Sequence, residues 1–174
     1  MSDTPDQPDQ PDQPGQPGTR GPRAKSEKRP ASQTVREPRH RARVAAVQML
    51  YQWEVGRAKM DDVRLGFWTG PSSEELPQEH RDFAEWLAVG VSGTTEQLDP
   101  MIQGAADNWR IERMNVLDRL ILRLAVYEFL HEPETPAKVV INEAIELART
   151  FSGDDAVRFI NGVLDAIRRG LQRP

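Results

Sequence analysis

The chain contains no cysteine among its 174 residues. That excludes a disulfide framework, thiolate catalysis, zinc ribbons and iron–sulfur ligation, and it fits a reducing compartment. No run approaches the roughly 18 consecutive apolar residues of a membrane-spanning helix. The polar, proline-rich N-terminus has no apolar core of a secretory signal, so a cytoplasmic protein with no membrane contact is expected. Phosphate-binding glycine loops, metalloprotease histidine pairs and EF-hand loops are missing as well. His40, His80 and His131 are widely spaced, and no two sit four apart. Nothing in the pattern asks for a catalytic centre, a metal or a cofactor.

What is present is unevenly distributed. Eight of the fourteen prolines fall within the first 38 residues. Residues 1–19 carry four Asp and no Lys or Arg, residues 20–43 nine Lys or Arg against two Glu, and the remainder is acidic again. The overall charge of −4 therefore conceals a local charge of +7. Asp-Gln-Pro occurs three times running from Asp6 to Pro14, and no large apolar residue lies between Thr4 and Pro22. Such a segment cannot bury enough surface to offset its ordering entropy. Residues 1–36 are expected to be a disordered tail, basic from residue 20, serving either as a solvated linker or as an arm that adds phosphate affinity.

From residue 37 to 174 the pattern is helical. Pro38 suits the first turn of a helix that ends near Gly56, with Val44, Val47, Tyr51 and Val55 on one apolar face that Leu50 and Trp53 widen. A short helix covers about 60–68, and Gly70 to Ser73 is a loop. A long element runs from Pro77 to about Pro100, where Gly90 and Gly93 either allow close packing or weaken it. Residues 114–130 are apolar nearly all round, with Asn115, Asp118, Arg119 and Arg123 as a thin polar stripe, which marks a central helix. Thr135 can cap the next helix, whose stripe is Ile141, Ala144, Ile145 and Ala148. Asp154 or Asp155 can cap the last. There Ala156, Ile160, Val163, Leu164, Ile167 and Leu171 continue across Asn161-Gly162, so that dipeptide is read as helix. The class is all-α, a compact bundle of about six or seven helices.

Arg39, His40, Arg41 and Arg43 crowd the start of the first helix. Cations there oppose the helix dipole unless an anion is bound, so the cluster reads as a nucleic-acid backbone site or as a solvated charge run. Gln48 and Gln52 extend a polar strip from Arg41, and a glutamine can bond a base edge or face water. On the last helix Phe159 sits at the margin of the apolar stripe beside Asp155 and Arg158. It can stack an unpaired base or close the edge of the core. Trp53, Trp68, Trp86 and Trp109 read as core or interface anchors.

These residues carry a resemblance. Arg39 to Arg43 followed by Ala46-Val47-Gln48-Met49-Leu50-Tyr51-Gln52-Trp53 resembles the opening helix of the NusB family of bacterial transcription antitermination factors. Asp118 to Glu128 is similar to its central helix, Pro136 to Ala148 to its most recognisable run, and Phe159 to Asp165 to its last helix. The resemblance covers residues 38–170 and implies two small helical subdomains. It implies binding to boxA, a short single-stranded element of ribosomal RNA leader and spacer transcripts. It also implies pairing with the ribosomal protein NusE within an RNA polymerase elongation complex that contains other Nus factors. The family's arginine-rich helix maps onto Arg39, Arg41 and Arg43, with His40 where many members carry Arg. Its RNA-proximal loop and helix map onto Ser152 to Asp155, Arg158 and Phe159. Some members homodimerise and hide the arginine helix, which the sequence leaves open. A similar domain also occurs fused to RNA cytosine methyltransferases, but no methyltransferase domain follows Pro174. A protein-binding scaffold without RNA affinity is the remaining alternative.

Overall fold

A computed structural model describes residues 31–70, 76–106 and 109–172, with side chains from Pro38 onward. The expected tail over residues 1–30 and most of the loop after Gly70 lie outside the described residues. The helices are α1 (Ala31–Gly56), α2 (Met60–Phe67), α3 (Gln78–Gly93), α4 (Thr95–Ala105), α5 (Val116–His131), α6 (Ala137–Phe151) and α7 (Asp154–Gly170), with a 3₁₀ turn at Ile111–Arg113. No strand occurs among the described residues. The all-α bundle expected from the periodicity is therefore the fold.

Helix α5 is the axis. Its residues Leu120 to Phe129 are all buried, and it packs on α1 and α3 to one side and on α4, α6 and α7 to the other. The helices α1–α3 contact one another, and α7 contacts both α4 and α6 beside α5, giving two helical groups over one continuous core. Asn115 caps α5 by accepting from the Leu117 N–H at 2.9 Å. Gly90 leaves room for the Tyr127 ring of α5 against the α3 backbone, because a Cβ there would overlap that ring. Gly93 has no such neighbour.

Several local expectations are corrected. Helix α1 begins at Ala31, so Pro38 lies inside the helix and does not open it. Proline is common in a first turn, which is why it reads as a start. The buried face of α1 is Ala42, Ala46, Met49 and Leu50 with their neighbours, whereas Tyr51 and Val55 are 43% and 49% exposed. Small alanines bury here because α1 packs closely on α3, and the larger Tyr and Val drew the expected stripe too far round. The long element from Pro77 breaks at Thr94, whose hydroxyl donates to the Gly90 carbonyl at 2.7 Å, and Pro100 sits inside α4. Thr135 does not cap α6; it is buried, and its hydroxyl oxygen accepts from Arg39 at 3.4 Å. Neither Asp154 nor Asp155 caps α7. Gly153 occupies that position at φ 102°, a backbone conformation that glycine adopts without strain, and both carboxylates lie in the first turn, where they complement the helix dipole.

Candidate nucleic-acid interface

Because α1 starts at Ala31, the basic cluster lies two or more turns into the helix. The dipole and free N–H groups act only over the first turn, so they do not concern Arg39 to Arg43. What places these residues is the helix face each one falls on.

Arg43 falls on the buried face beside Ala42 and Ala46. Its Nε and Nη2 donate to the two Glu128 carboxylate oxygens at 2.8 and 2.7 Å, and Nη1 lies 3.7 Å from Glu143. Both carboxylates are buried. Burial alone would lower the Arg43 pKa. The hydrogen bond and charge of Glu128, with the charges of Glu143 and Glu132, outweigh it and raise the pKa, so the guanidinium is held charged. The sequence groups Arg43 with the phosphate-binding residues; the structure instead commits it to fastening α1 onto α5. A buried, bidentate guanidinium has no edge left for a phosphate.

His40 belongs to the same cluster. Its Nδ1 is 2.8 Å from Glu143 Oε2, and its ring is about one third exposed. Arg39 is exposed, with its guanidinium 4.9 Å from the centre of the Phe83 ring, which the Arg43 guanidinium also approaches at 5.4 Å. Arg41 and Gln48 line one small cavity with Phe67 and Trp68. Gln48 and Gln52 line a neighbouring open groove of about 390 Å³ with Val47, Tyr51, Phe67, Leu117 and Phe151. Arg41, Gln48 and Gln52 thus lie along one side of α1 and border two neighbouring hollows lined mainly by apolar residues, with Val44 and Ala45 between Arg41 and Gln48.

On α7 the Asp155 and Arg158 side chains are exposed and 3.3 Å apart. Phe159 is half-buried and packs on the core, with its ring 5.4 Å from that of Trp109. The candidate residues therefore fall into three places: an ionic cluster against α5 and α6, the strip on α1, and the margin of α7.

Sequence reading missed the partners more than the residues. Glu128 stands in an apolar run off the polar stripe, and that isolation was the available signal, since a carboxylate so placed must be paired. Glu143 lies on the buried side of α6, beside Ala144. A second network joins α1, α4 and α5: Arg123 binds Asp99 through two bonds of 2.7 Å and Glu54 through a third, while Arg119 also binds Glu54. Trp53, Trp68 and Trp86 pack against the core as anticipated. Trp109 does not; it is 54% exposed.

A family model described as the NusB family matches residues 40–169. The transcription antitermination protein NusB of Koribacter versatilis is 44% identical over 133 residues, covering 76% of this chain and 90% of its own. That of Treponema denticola is 39% identical over 130 residues, covering 75% and 95%. A crystal structure of T. maritima NusB superimposes with a TM-score of 0.69 at 31% identity, over 76% of this chain and 91% of that one. A complex of the antitermination factors NusB and NusE with double-stranded RNA gives 0.68 at 22% identity over 77% and 98%, a likeness of fold.

Proposed function

The chain belongs to the NusB family, and from that premise we propose that it is a transcription antitermination factor acting by binding, without a catalytic step. Its RNA is the single-stranded boxA element of ribosomal RNA leader and spacer transcripts. Its protein partner is NusE, and together they modify an RNA polymerase elongation complex that holds other Nus factors. The observation that carries the RNA reading is the strip on α1, Arg41, Gln48 and Gln52 on one face, with exposed Arg39 as a further cation on a different face of the same helix. Arginines track phosphates, and glutamine amides supply donors and acceptors for splayed bases.

Asp155, Arg158 and Phe159 form the second part of the proposed surface. Arg158 is the cation, Asp155 orients it, and Phe159 offers a ring edge at the margin of the core. His40 contributes through Glu143, by keeping the α1 side of the cluster in place, while Arg43 is structural.

The test is a titration of the full chain with a boxA strand and a scrambled strand of equal length, each with and without NusE, with light scattering to follow the oligomeric state. Preferential boxA binding that NusE strengthens is expected. Equal, weak binding of both strands in either condition refutes the reading. A dimer that dissociates on adding boxA would show that self-association covers the α1 strip.

A further inference from the structure

Trp109 is unlike the other tryptophans in two respects. Trp68 donates its indole N–H to Glu85 at 2.8 Å, Trp86 packs between the rings of Phe83 and Tyr127, and Trp53 lies half-buried on the core. Trp109 keeps more than half of its surface in water, which forgoes the burial energy a large aromatic normally contributes. Yet its backbone is firmly fixed. Its N–H donates to the Ala106 carbonyl at 3.1 Å. The Gln103 side chain spans the next two peptides: Nε2 donates to the Trp109 carbonyl at 2.7 Å, and Oε1 accepts from the Ile111 N–H at 2.9 Å. An exposed indole on a clamped backbone loses little conformational freedom when a ligand covers it, which favours binding.

The indole also has a companion. Its ring centroid is 5.4 Å from that of Phe159, with the planes at 51°. Phe159 is itself seated on the core, so the pair is held from both sides. The cations Arg110 and Arg158 adjoin the two rings in sequence, and both are exposed. Fixed aromatic faces with cations at hand are how proteins hold unpaired bases with little sequence preference.

We propose that Trp109 is an RNA-contacting residue: with Phe159 it forms a two-ring platform that stacks an unpaired base, and Gln103 is the positioning residue that holds the indole. This rests on the RNA-binding reading above and extends it to the turn between α4 and α5, whose Trp109 the sequence reads as a core or interface anchor.

The experiment compares full-length Trp109→Ala, Trp109→Phe, Gln103→Ala and Arg39→Ala/Arg41→Ala with the parent chain, using the boxA strand as probe at several salt concentrations. Circular dichroism of each variant checks the fold. Trp109→Ala is expected to bind about 5- to 150-fold more weakly with an unchanged salt slope. Trp109→Phe should retain most of the affinity, and Gln103→Ala should fall between them. RNA should quench the intrinsic fluorescence of the parent chain and much less that of Trp109→Phe, since the other three indoles are more buried. If Trp109→Ala binds boxA like the parent while the arginine variant is weakened, the platform is refuted and the RNA reading stands. If the parent does not bind boxA, both fail. Loss of NusE binding with intact RNA binding would make the platform a protein contact and overturn the proposal.

Discussion

Arg43 and Glu128 form a two-bond ion pair, 2.7 and 2.8 Å, across the buried boundary between α1 and α5. The arginines from Arg39 to Arg43 therefore differ in burial within little more than one turn of helix. Arg39 is exposed and Arg41 half-buried, whereas Arg43 is buried.

The first prediction follows from that division. Arg43→Ala leaves the Glu128 carboxylate buried and unpaired, and breaking such a pair costs about 3–5 kcal/mol. Chemical denaturation should show that loss. The folded fraction should keep the parent's salt dependence of RNA binding, because no phosphate contact is removed. A reduced salt slope with undiminished stability would return Arg43 to the RNA surface.

Arg39→Ala with Arg41→Ala should behave in the opposite way. Removing one phosphate interaction with a single strand lowers the log–log salt slope by about 0.7. Both changes together should remove about 1.4, with weaker boxA binding. The melting temperature should move little, since Arg39 is exposed and its contacts are a cation–π approach to Phe83 and a 3.4 Å hydrogen bond to Thr135. Affinity that falls without a change in slope would mean these side chains act on structure.

At Gly90 the prediction concerns packing. A methyl group there overlaps the Tyr127 ring, so Gly90→Ala must push α3 from α5 or turn the ring out from between Trp86 and His131. Overpacking of this kind costs about 1–3 kcal/mol. Gly93→Ala meets no neighbour and serves as the control, expected to be neutral or stabilising through better helix propensity. Equal melting temperatures for the two variants would rule out the close approach.

Tyr127 gives an alkaline signature. Burial raises its pKa above the ordinary value of 10.0. A raised folded-state pKa means that its contribution to stability is complete below the unfolded value, about 10, and is lost as pH rises through the folded one. Tyrosinate absorbance should contain a component above pH 10 that is missing in Tyr127→Phe, and the chain's stability should fall over that same window. A Tyr127 component centred at or below pH 10 in the folded chain would contradict the burial.

Helix type and order were legible because they rest on period and length. The α7 stripe reads off the residues and is buried as expected, from Ala156 to Ile167. The central place of α5 follows from an apolar run too long to be anything else. Side-chain fate was harder. On α1 Val47 and Leu50 are buried as the pattern suggests, but much of the rest of the buried face is alanine, which weighs little beside Tyr51 and Val55. Arg43 reads as one more surface cation until Glu128, 85 positions away, is known to face it. Trp109 reads as an anchor by type alone. Its exposure depends on where the turn before α5 is held, and that is decided by Gln103 on another element. Pairings between distant segments leave no local period, so they become visible only once the helices are assembled.

Phe159 is where packing and recognition meet, and two substitutions separate them. The ring is half-buried on the core and touches Trp109, so Phe159→Ala removes both apolar burial and a flat face and should lower stability and RNA affinity together. Phe159→Leu keeps most of the apolar volume; a volume-conserving exchange costs less than about 1.5 kcal/mol. What it loses is the aromatic face, worth about 1–3 kcal/mol of RNA affinity for a stacked base. The neighbouring Ile160 is fully buried, and Ile160→Ala should cost about 2–5 kcal/mol of stability without changing the affinity of the folded fraction. Thermal melts and boxA titrations on the three variants give the answer. Phe159→Leu with parental stability and weakened RNA binding assigns the ring to the RNA surface. Phe159→Leu with parental affinity assigns it to the core, leaving Arg158 as the contact on α7.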